Sequence, residues 1–293
     1  MAFATDQSIV NRIVTDIEDG LSGIGVIFRI FGRVKTRKSL ELKLEQKSEE
    51  YLLKNKKLQD LFGVRIALYF SDDVGIAQEV VESLYRVNSS SVDIPSDDIF
   101  GPTRCNIIYH LPEDLATDSH LINSVGMVDS TFEVQYRTIL SEGWHEVEHD
   151  LRYKCKPDWT DHNDLSRSLN GIMATLETCD WSMIRMFDEL AWRHYKAGTW
   201  GPMIRTKFRL RFQSAGLPLK LSNALTSTDG LAKAIFRTDR TALLKKLVSQ
   251  KLPLPITPSN IVFVINRIFI KDSALKSLEN DALSSLLDDR LML

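Results

Sequence analysis

Apolar residues recur at helical spacing near the start of the chain, at Ile9, Ile13, Ile17 and Leu21, and close on the glycine-bearing GLSGIG. The spacing predicts a helix and a turn across residues 8–31. The stretch GRVKTRKSLELKLEQKSEEYLLKNKKL then turns strongly charged, with Leu40, Leu42 and Leu44 spaced through it. Its default reading is a solvated helix face. LFGVRIALYF (61–70) is a β-branched and aromatic run, which predicts a buried strand entered from Asp60. Residues 72–87 return to helical periodicity, and CNIIYHL (105–111) predicts a second strand. TFEVQYRTI (131–139) alternates cleanly, with Phe132, Val134 and Tyr136 on one face and Glu133, Gln135 and Arg137 on the other. A Glu-Gln-Arg stripe on a central strand makes a poor core face and a good site face. SEGWHEVEHDLRYK (141–154) predicts a helix with Trp144, Val147 and Leu151 inward. From residue 164 the pattern is helical to the end, broken at GTWGP (198–202), AGLPL (215–219) and LPLPITP (252–258). Trp181, Met183, Met186, Phe187 and Trp192 read as a packed stripe on the first of these helices. The fold class expected is α+β: a mixed sheet flanked by helices over residues 1–160, a long helix packing on it over 161–195, and an all-helical extension over 196–293.

Composition narrows the function classes. The 293 residues hold 37 Lys and Arg against 39 Asp and Glu, a net charge of −2. Such balance argues against coating nucleic acid by bulk charge, while leaving room for a local basic patch. With 43% hydrophobic and 26% charged residues the chain is no disordered protein. Cys105, Cys155 and Cys179 are odd in number and widely spaced, which fits a reducing compartment. The first residues lack a basic segment followed by an apolar run, and the longest apolar stretches, such as IVFVI (261–265), are too short to span a bilayer. The expectation is a cytoplasmic protein with no membrane and no DNA partner.

Candidate chemistry starts with Asp60 and Glu133, two carboxylates bordering predicted strands. Mg²⁺ takes oxygen ligands and is held by one or two carboxylates plus substrate phosphates. The basic stretch at 33–47 supplies cations to a polyphosphate, and Arg137 continues that patch. The bland alternatives are Asp60 capping a turn and Glu133 pairing with Arg137 on an exposed sheet. His145-Glu146-Val147-Glu148-His149 is a literal H-E-x-x-H, the zinc-protease pattern, with no obvious third ligand. His145 reads instead as an exposed helix residue. RTKFRLRFQ (205–213) alternates cations with apolar residues, as an amphipathic strand or a helix end whose charges suit a phosphate backbone.

Taken together, GRVKTRKSLELKL, DLFGVRIALYF and FEVQYRTILSEGWHEVEHDLRYK resemble the signature stretches of the RelA/SpoT-type alarmone synthetase domain, from about residue 30 to 155. The long helix after 164, with Asp180, resembles the helix that follows this domain in small single-domain synthetases. The resemblance implies a nucleotidyltransferase-like fold and transfer of the β,γ-pyrophosphate of ATP to a ribose 3′-hydroxyl, of GDP or GTP in the family and of adenine nucleotides or tRNA in toxic relatives. It implies that Arg33, Lys35, Ser39, Lys43 and Arg65 bind ATP. It further implies that Asp60 ligates Mg²⁺ and that Glu133 binds metal or deprotonates the acceptor. Gln135, Arg137, His149 and Lys154 would border the acceptor and phosphates. The family's Gly-Tyr-x-Ser-x-His is replaced here by Gly101-Pro102-Thr103-Arg104-Cys105-Asn106, where Arg104 is the candidate to stack on or pair with the acceptor. Residues 1–30 lack the histidines of the family's hydrolase half. A toxin or phage-defence effector, with an antitoxin or a second copy as partner, is one expectation. A silent nucleotide sensor with the same fold is the other.

Overall fold

The computed structural model describes residues 2–46, 57–92, 105–214 and 216–291, with side chains from residue 5 and without those of residues 43, 44 and 46. They form two compact units, residues 1–19 with 28–180, and residues 20–27 with 181–293.

The first unit is built on a five-stranded mixed sheet. Its strands are β1 (Phe28–Val34), β2 (Phe62–Leu68), β3 (Val87–Val92), β4 (Cys105–His110) and β5 (Thr131–Thr138), in spatial order β1-β2-β5-β4-β3. Only β2 and β5 are parallel; the other neighbours are antiparallel. Three of these strands coincide with the apolar runs of the sequence. β1 does not, because FRIFGRV continues the apolar spacing of the preceding helix and carries two arginines. β3, VNSSSV, is an edge strand exposed along its whole length and has no apolar face to signal it.

Helix α1 (Ala2–Gly23) turns Ile9, Val10, Ile13 and Ile17 into the core. It approaches β1 closely, since a Cβ on Gly32 would clash with Val10 Cγ1 and lie 2.7 Å from Val14 Cγ2. Helices α2 (Arg37–Gln46), α3 (Val74–Glu82), α4 (Glu113–Asp118) and α5 (His120–Ser124) follow the strands. Below the sheet, Phe132 packs edge-on against Tyr85 and stacks on Tyr109. The Tyr109 and Tyr136 hydroxyls meet at 2.7 Å, and burial pushes the Tyr109 phenol up to about 12.

Helix α6 (Ile139–Glu148) starts at a capping box between Thr138 and Ser141 and widens into a π turn over His149–Tyr153. Trp144 is buried as expected, but Val147 and Leu151 are exposed rather than inward. The π turn adds a residue to the helical repeat, so the i+3/i+4 stripe counted from Trp144 does not persist through Leu151. Helix α7 (Asn163–Lys196) is clamped to this turn by Trp144, which donates to the Leu169 carbonyl at 2.8 Å, and by Arg152, which donates to Asn170 at 2.9 Å.

The second unit is helical: the end of α7, then α8 (Trp200–Phe208), α9 (Leu219–Ser227), α10 (Leu231–Arg237), α11 (Arg240–Gln250), α12 (Pro258–Ile265), α13 (Ser273–Lys276) and α14 (Asp281–Leu291). Trp181, Met186 and Trp192 are exposed, so the expected packed stripe is not there; Ile184 and Ala191, seven residues apart, are what face the interior. The alternating cations of 205–213 prove to be a helix end. Arg205 and Lys207 lie in the last turn of α8, and Arg209 caps it in the left-handed region at φ 45°. Gly25, at φ 77°, belongs to this unit. Its carbonyl accepts from Arg211 N at 2.7 Å, and a Cβ there would meet Ile256 Cγ2 at 2.8 Å. No described helix is long and apolar enough to cross a membrane.

Candidate active site

Strand register assembles the site. Phe31 pairs with Arg65, Arg65 with Gln135, and Gln135 with Asn106, so these four form a row across four strands on one sheet face. The next row on that face is Arg33, Gly63, Glu133 and Ile108. Alternation on a strand gives each residue its face, and pairing between strands gives each its neighbour.

The two rows are joined by side-chain hydrogen bonds. Gln135 Nε2 donates to Glu133 at 2.9 Å, and Asn106 Nδ2 donates to the other carboxylate oxygen at 3.0 Å. Asn106 Oδ1 in turn accepts from Arg137 at 3.2 Å. Glu133 is therefore held by two neutral amides, and Arg137 reaches it only through Asn106. Arg137 is 8% exposed, and its burial pulls the guanidinium below its ordinary value. Arg65 donates to Gln135 at 3.2 Å and to Glu142 at 2.7 Å, and also pairs with Glu146. Burial works against the Arg65 cation, but Glu142 and Glu146 more than offset it and hold it above its ordinary value.

Beside this face the π turn presents His149 and Tyr153, whose rings stack at 5.9 Å. His149 Nδ1 and Lys154 Nζ both contact Asp150 Oδ1, at 2.9 and 2.6 Å, and Lys154 and then His149 hold that carboxyl below its ordinary range. One open cleft of about 180 Å³ gathers Arg33, Arg65, Gln135, Arg137 and His149 from among the sequence candidates. A smaller one of about 70 Å³ beside it is lined by Gly63 and Phe31, which is 54% exposed, with Arg33 and Arg65.

The remaining candidates lie around these clefts. Glu133 sits behind Gln135 and Asn106. Lys35, just past β1, donates to Asp60 Oδ2 at 2.7 Å ahead of β2, so a cation engages Asp60. Ser39 is exposed in the first turn of α2, where its hydroxyl accepts from Thr36. Arg104 and the Lys43 side chain lie outside the described residues. His145 is half-buried and lines the larger cleft, rather than standing exposed on its helix. Asn106, Glu142, Glu146 and Tyr153 escaped sequence reasoning. Strand parity of 106 against 135, and the i, i+4 spacing of Glu142 and Glu146 on α6, were the available signals.

The arrangement offers charge and oxygen. Three guanidiniums and His149 suit a polyphosphate, and Asp60 and Glu133 are oxygen ligands of the kind Mg²⁺ takes, the first engaged by Lys35 and the second by two amides. No three His, Cys, Asp or Glu side chains converge as a metal cage among the described residues, which leaves the His145/His149 pair without a third protein ligand.

Residues 32–158 match the family described as "Region found in RelA / SpoT proteins". No curated protein matches the chain. Solved structures with similarity include small alarmone synthetase 1 from Bacillus subtilis bound to its product pppGpp, at 20% identity and a TM-score of 0.49, covering 63% of this chain and 94% of that one. Small alarmone synthetase 2 from Bacillus subtilis gives 24%, 0.44, 64% and 94%, and a GTP pyrophosphokinase family protein from Streptococcus pneumoniae gives 20%, 0.44, 61% and 88%.

Proposed function

We propose, from the premise that residues 32–158 are a RelA/SpoT-type synthetase region, that this protein is a pyrophosphokinase moving the β,γ-pyrophosphate of ATP to a ribose 3′-hydroxyl. The observation that carries the reading is the hydrogen-bonded face Arg65–Gln135–Glu133–Asn106–Arg137 with Arg33 beside it. Phosphoryl-type transfer asks little covalent chemistry of a protein. It needs positioned phosphates, neutralised charge and a base at the attacking hydroxyl.

The residues divide accordingly. Arg33 and Arg65 flank a glycine floor at Gly63 that leaves room for the planar base of ATP, with Lys35 and Ser39 on the phosphate side; the resemblance adds Lys43 to the phosphate-binding set. Glu133 takes the proton of the acceptor hydroxyl as its oxygen attacks the β-phosphorus; the bond from that phosphorus to the α,β-bridging oxygen breaks, and AMP leaves. Arg137, anchored through Asn106, faces the charge that develops, and His149 and Lys154 border the phosphates. Asp60 and Glu133 would hold Mg²⁺, which supplies charge neutralisation to the pyrophosphate. Gln135 orients Glu133. The acceptor is a ribonucleotide with a free 3′-hydroxyl, either a guanine or adenine nucleotide or the 3′ end of tRNA. A toxin or defence role would follow from an acceptor other than GDP or GTP.

The test is thin-layer chromatography after incubation with γ-labelled ATP and Mg²⁺, with GDP, GTP, AMP, ADP or bulk tRNA in separate lanes. A new labelled species in one lane is the expected result and names the acceptor. Label confined to ATP and phosphate in every lane, with ATP binding intact, would overturn transfer and favour a sensor.

A further inference from the structure

The net charge of −2 conceals a division. Residues 181–293 carry 18 Lys and Arg against nine Asp and Glu, while residues 1–180 carry 19 against 30. Residues 20–27 hold no charged side chain, so the second unit has an excess of nine positive charges and the first an excess of eleven negative ones. The positive excess is concentrated. Between Trp200 and Thr238 the sequence holds seven Lys and Arg and one acid, Asp229, and helices α8, α9 and α10 contain no acid at all; of the seven, Arg209 is buried and pairs with Asp188.

Three of those cations, Lys207, Lys233 and Arg237, lie beside partly exposed aromatic rings. Tyr195 and Phe236 stack at 4.9 Å with 18° between their planes, and Trp200 lies 6.2 Å from Tyr195. Trp200 is fixed by its Nε1 donating to Thr226 Oγ1 at 2.8 Å. Lys207 Nζ stands 5.6 Å over the Phe236 ring, and Lys233 and Arg237, both exposed, flank Phe236 on α10 at i−3 and i+1. Rings left partly exposed, with cations beside them, differ from interior packing, which would bury them. They combine the two elements by which single strands are held: stacking faces for bases, and positive charge for phosphates.

We propose that the Tyr195–Phe236–Trp200 cluster of the second unit is a docking site for a single-stranded polynucleotide, separate from the nucleotide cleft of the first unit. It does not rest on the pyrophosphotransfer reading. Lys207, Lys233 and Arg237 would lie on the sugar–phosphate backbone, and Trp200, which meets Tyr195 only at a tilt, would offer a face to a base, since Phe236 is already covered by Tyr195 and Lys207. RNA and DNA strands share this chemistry, and the 2′-hydroxyl distinguishes them.

The test is fluorescence anisotropy of end-labelled 20-nucleotide single-stranded RNA, and of the same sequence as DNA, titrated with the full chain at several salt concentrations and with saturating ATP present to fill the cleft. Binding to one or both strands is expected, with tighter RNA binding if the 2′-hydroxyl is read. The double variant Lys233→Glu/Arg237→Glu should weaken binding at least tenfold and lower the salt slope by about 1.4, at about 0.7 per cation lost. Trp200→Leu should weaken binding about fivefold or more with the salt slope unchanged, as expected for a lost stacking face. Circular dichroism and melting confirm that each variant is folded. The proposal is overturned by no binding to either strand at 50 mM salt, by affinity undiminished in the double charge reversal, or by competition from ATP. It is equally overturned if phosphatidylglycerol vesicles bind the protein while neither strand does.

Discussion

Glu133 owes its place to two amides. With Gln135 and Asn106 donating to its two oxygens, the carboxylate is oriented without a cation to neutralise it, which suits a base or a metal ligand. Glu133→Gln is therefore expected to lower turnover by about 10²-fold or more, in the range of a lost general base, with the circular dichroism spectrum unchanged. Activity within a few-fold of wild type would remove Glu133 from the mechanism. Arg65 serves two masters, the cleft and the fold. Its removal leaves Glu142, only 15% exposed and with one oxygen already unpartnered, without its cation. Arg65→Ala should cost about 1–3 kcal/mol in denaturant unfolding as well as ATP affinity, and Glu142→Gln added to it should recover part of the stability but none of the affinity. The Glu-Gln-Arg stripe was legible in the sequence because strand alternation is local. Asn106 was not, because its partnership with Glu133 and Arg137 is set by register between β4 and β5, which sequence spacing does not carry.

At the scale of elements, the strands whose faces are buried announced themselves, and the two edge strands did not. β1 depends on a close approach instead. Gly32→Ala should lower stability by about 1–3 kcal/mol through the clash with Val10 and Val14, as read in denaturant unfolding. The junction of β5 and α6 rests on Thr138, which caps α6 and also donates to Asp180 of α7 at 2.7 Å. Asp180 is 4% exposed, its second oxygen is unpartnered, and burial raises its carboxyl above the ordinary range. Because the folded-state value lies above the unfolded one, folding takes up a proton between them. The penalty on wild type is full at neutral pH and is relieved as pH falls through the folded value towards the unfolded one. Asp180→Asn should thus melt at or above wild type at pH 7.5, the gap closing towards pH 4; a gap constant across that range would refute the assignment.

For the whole molecule, the sequence distinguishes a sheet-bearing first part from a helical second part, since periodicity changes from two to 3.6. It does not reveal that residues 20–27 belong with the second, because no pattern in eight uncharged residues announces partners more than 180 positions away. Metal dependence is tested on the intact enzyme: EDTA should abolish transfer and added Mg²⁺ restore it, whereas phenanthroline at zinc-chelating concentrations should leave it unchanged. Inhibition by phenanthroline alone would return the His145/His149 pair to consideration.

The inclusion of residues 20–27 in the second unit has a consequence for how the protein is made. As the chain leaves the ribosome, Gly25 emerges long before Arg211 and Ile256, its eventual neighbours. The first unit can close its sheet once residue 180 is out, while the short stretch interrupting it must wait for the last third of the protein. A stop codon after residue 180 would strand Ile24 and Val26, both buried in the finished protein, in water. Any shortened version meant to isolate the helical unit must likewise carry residues 20–27 with it.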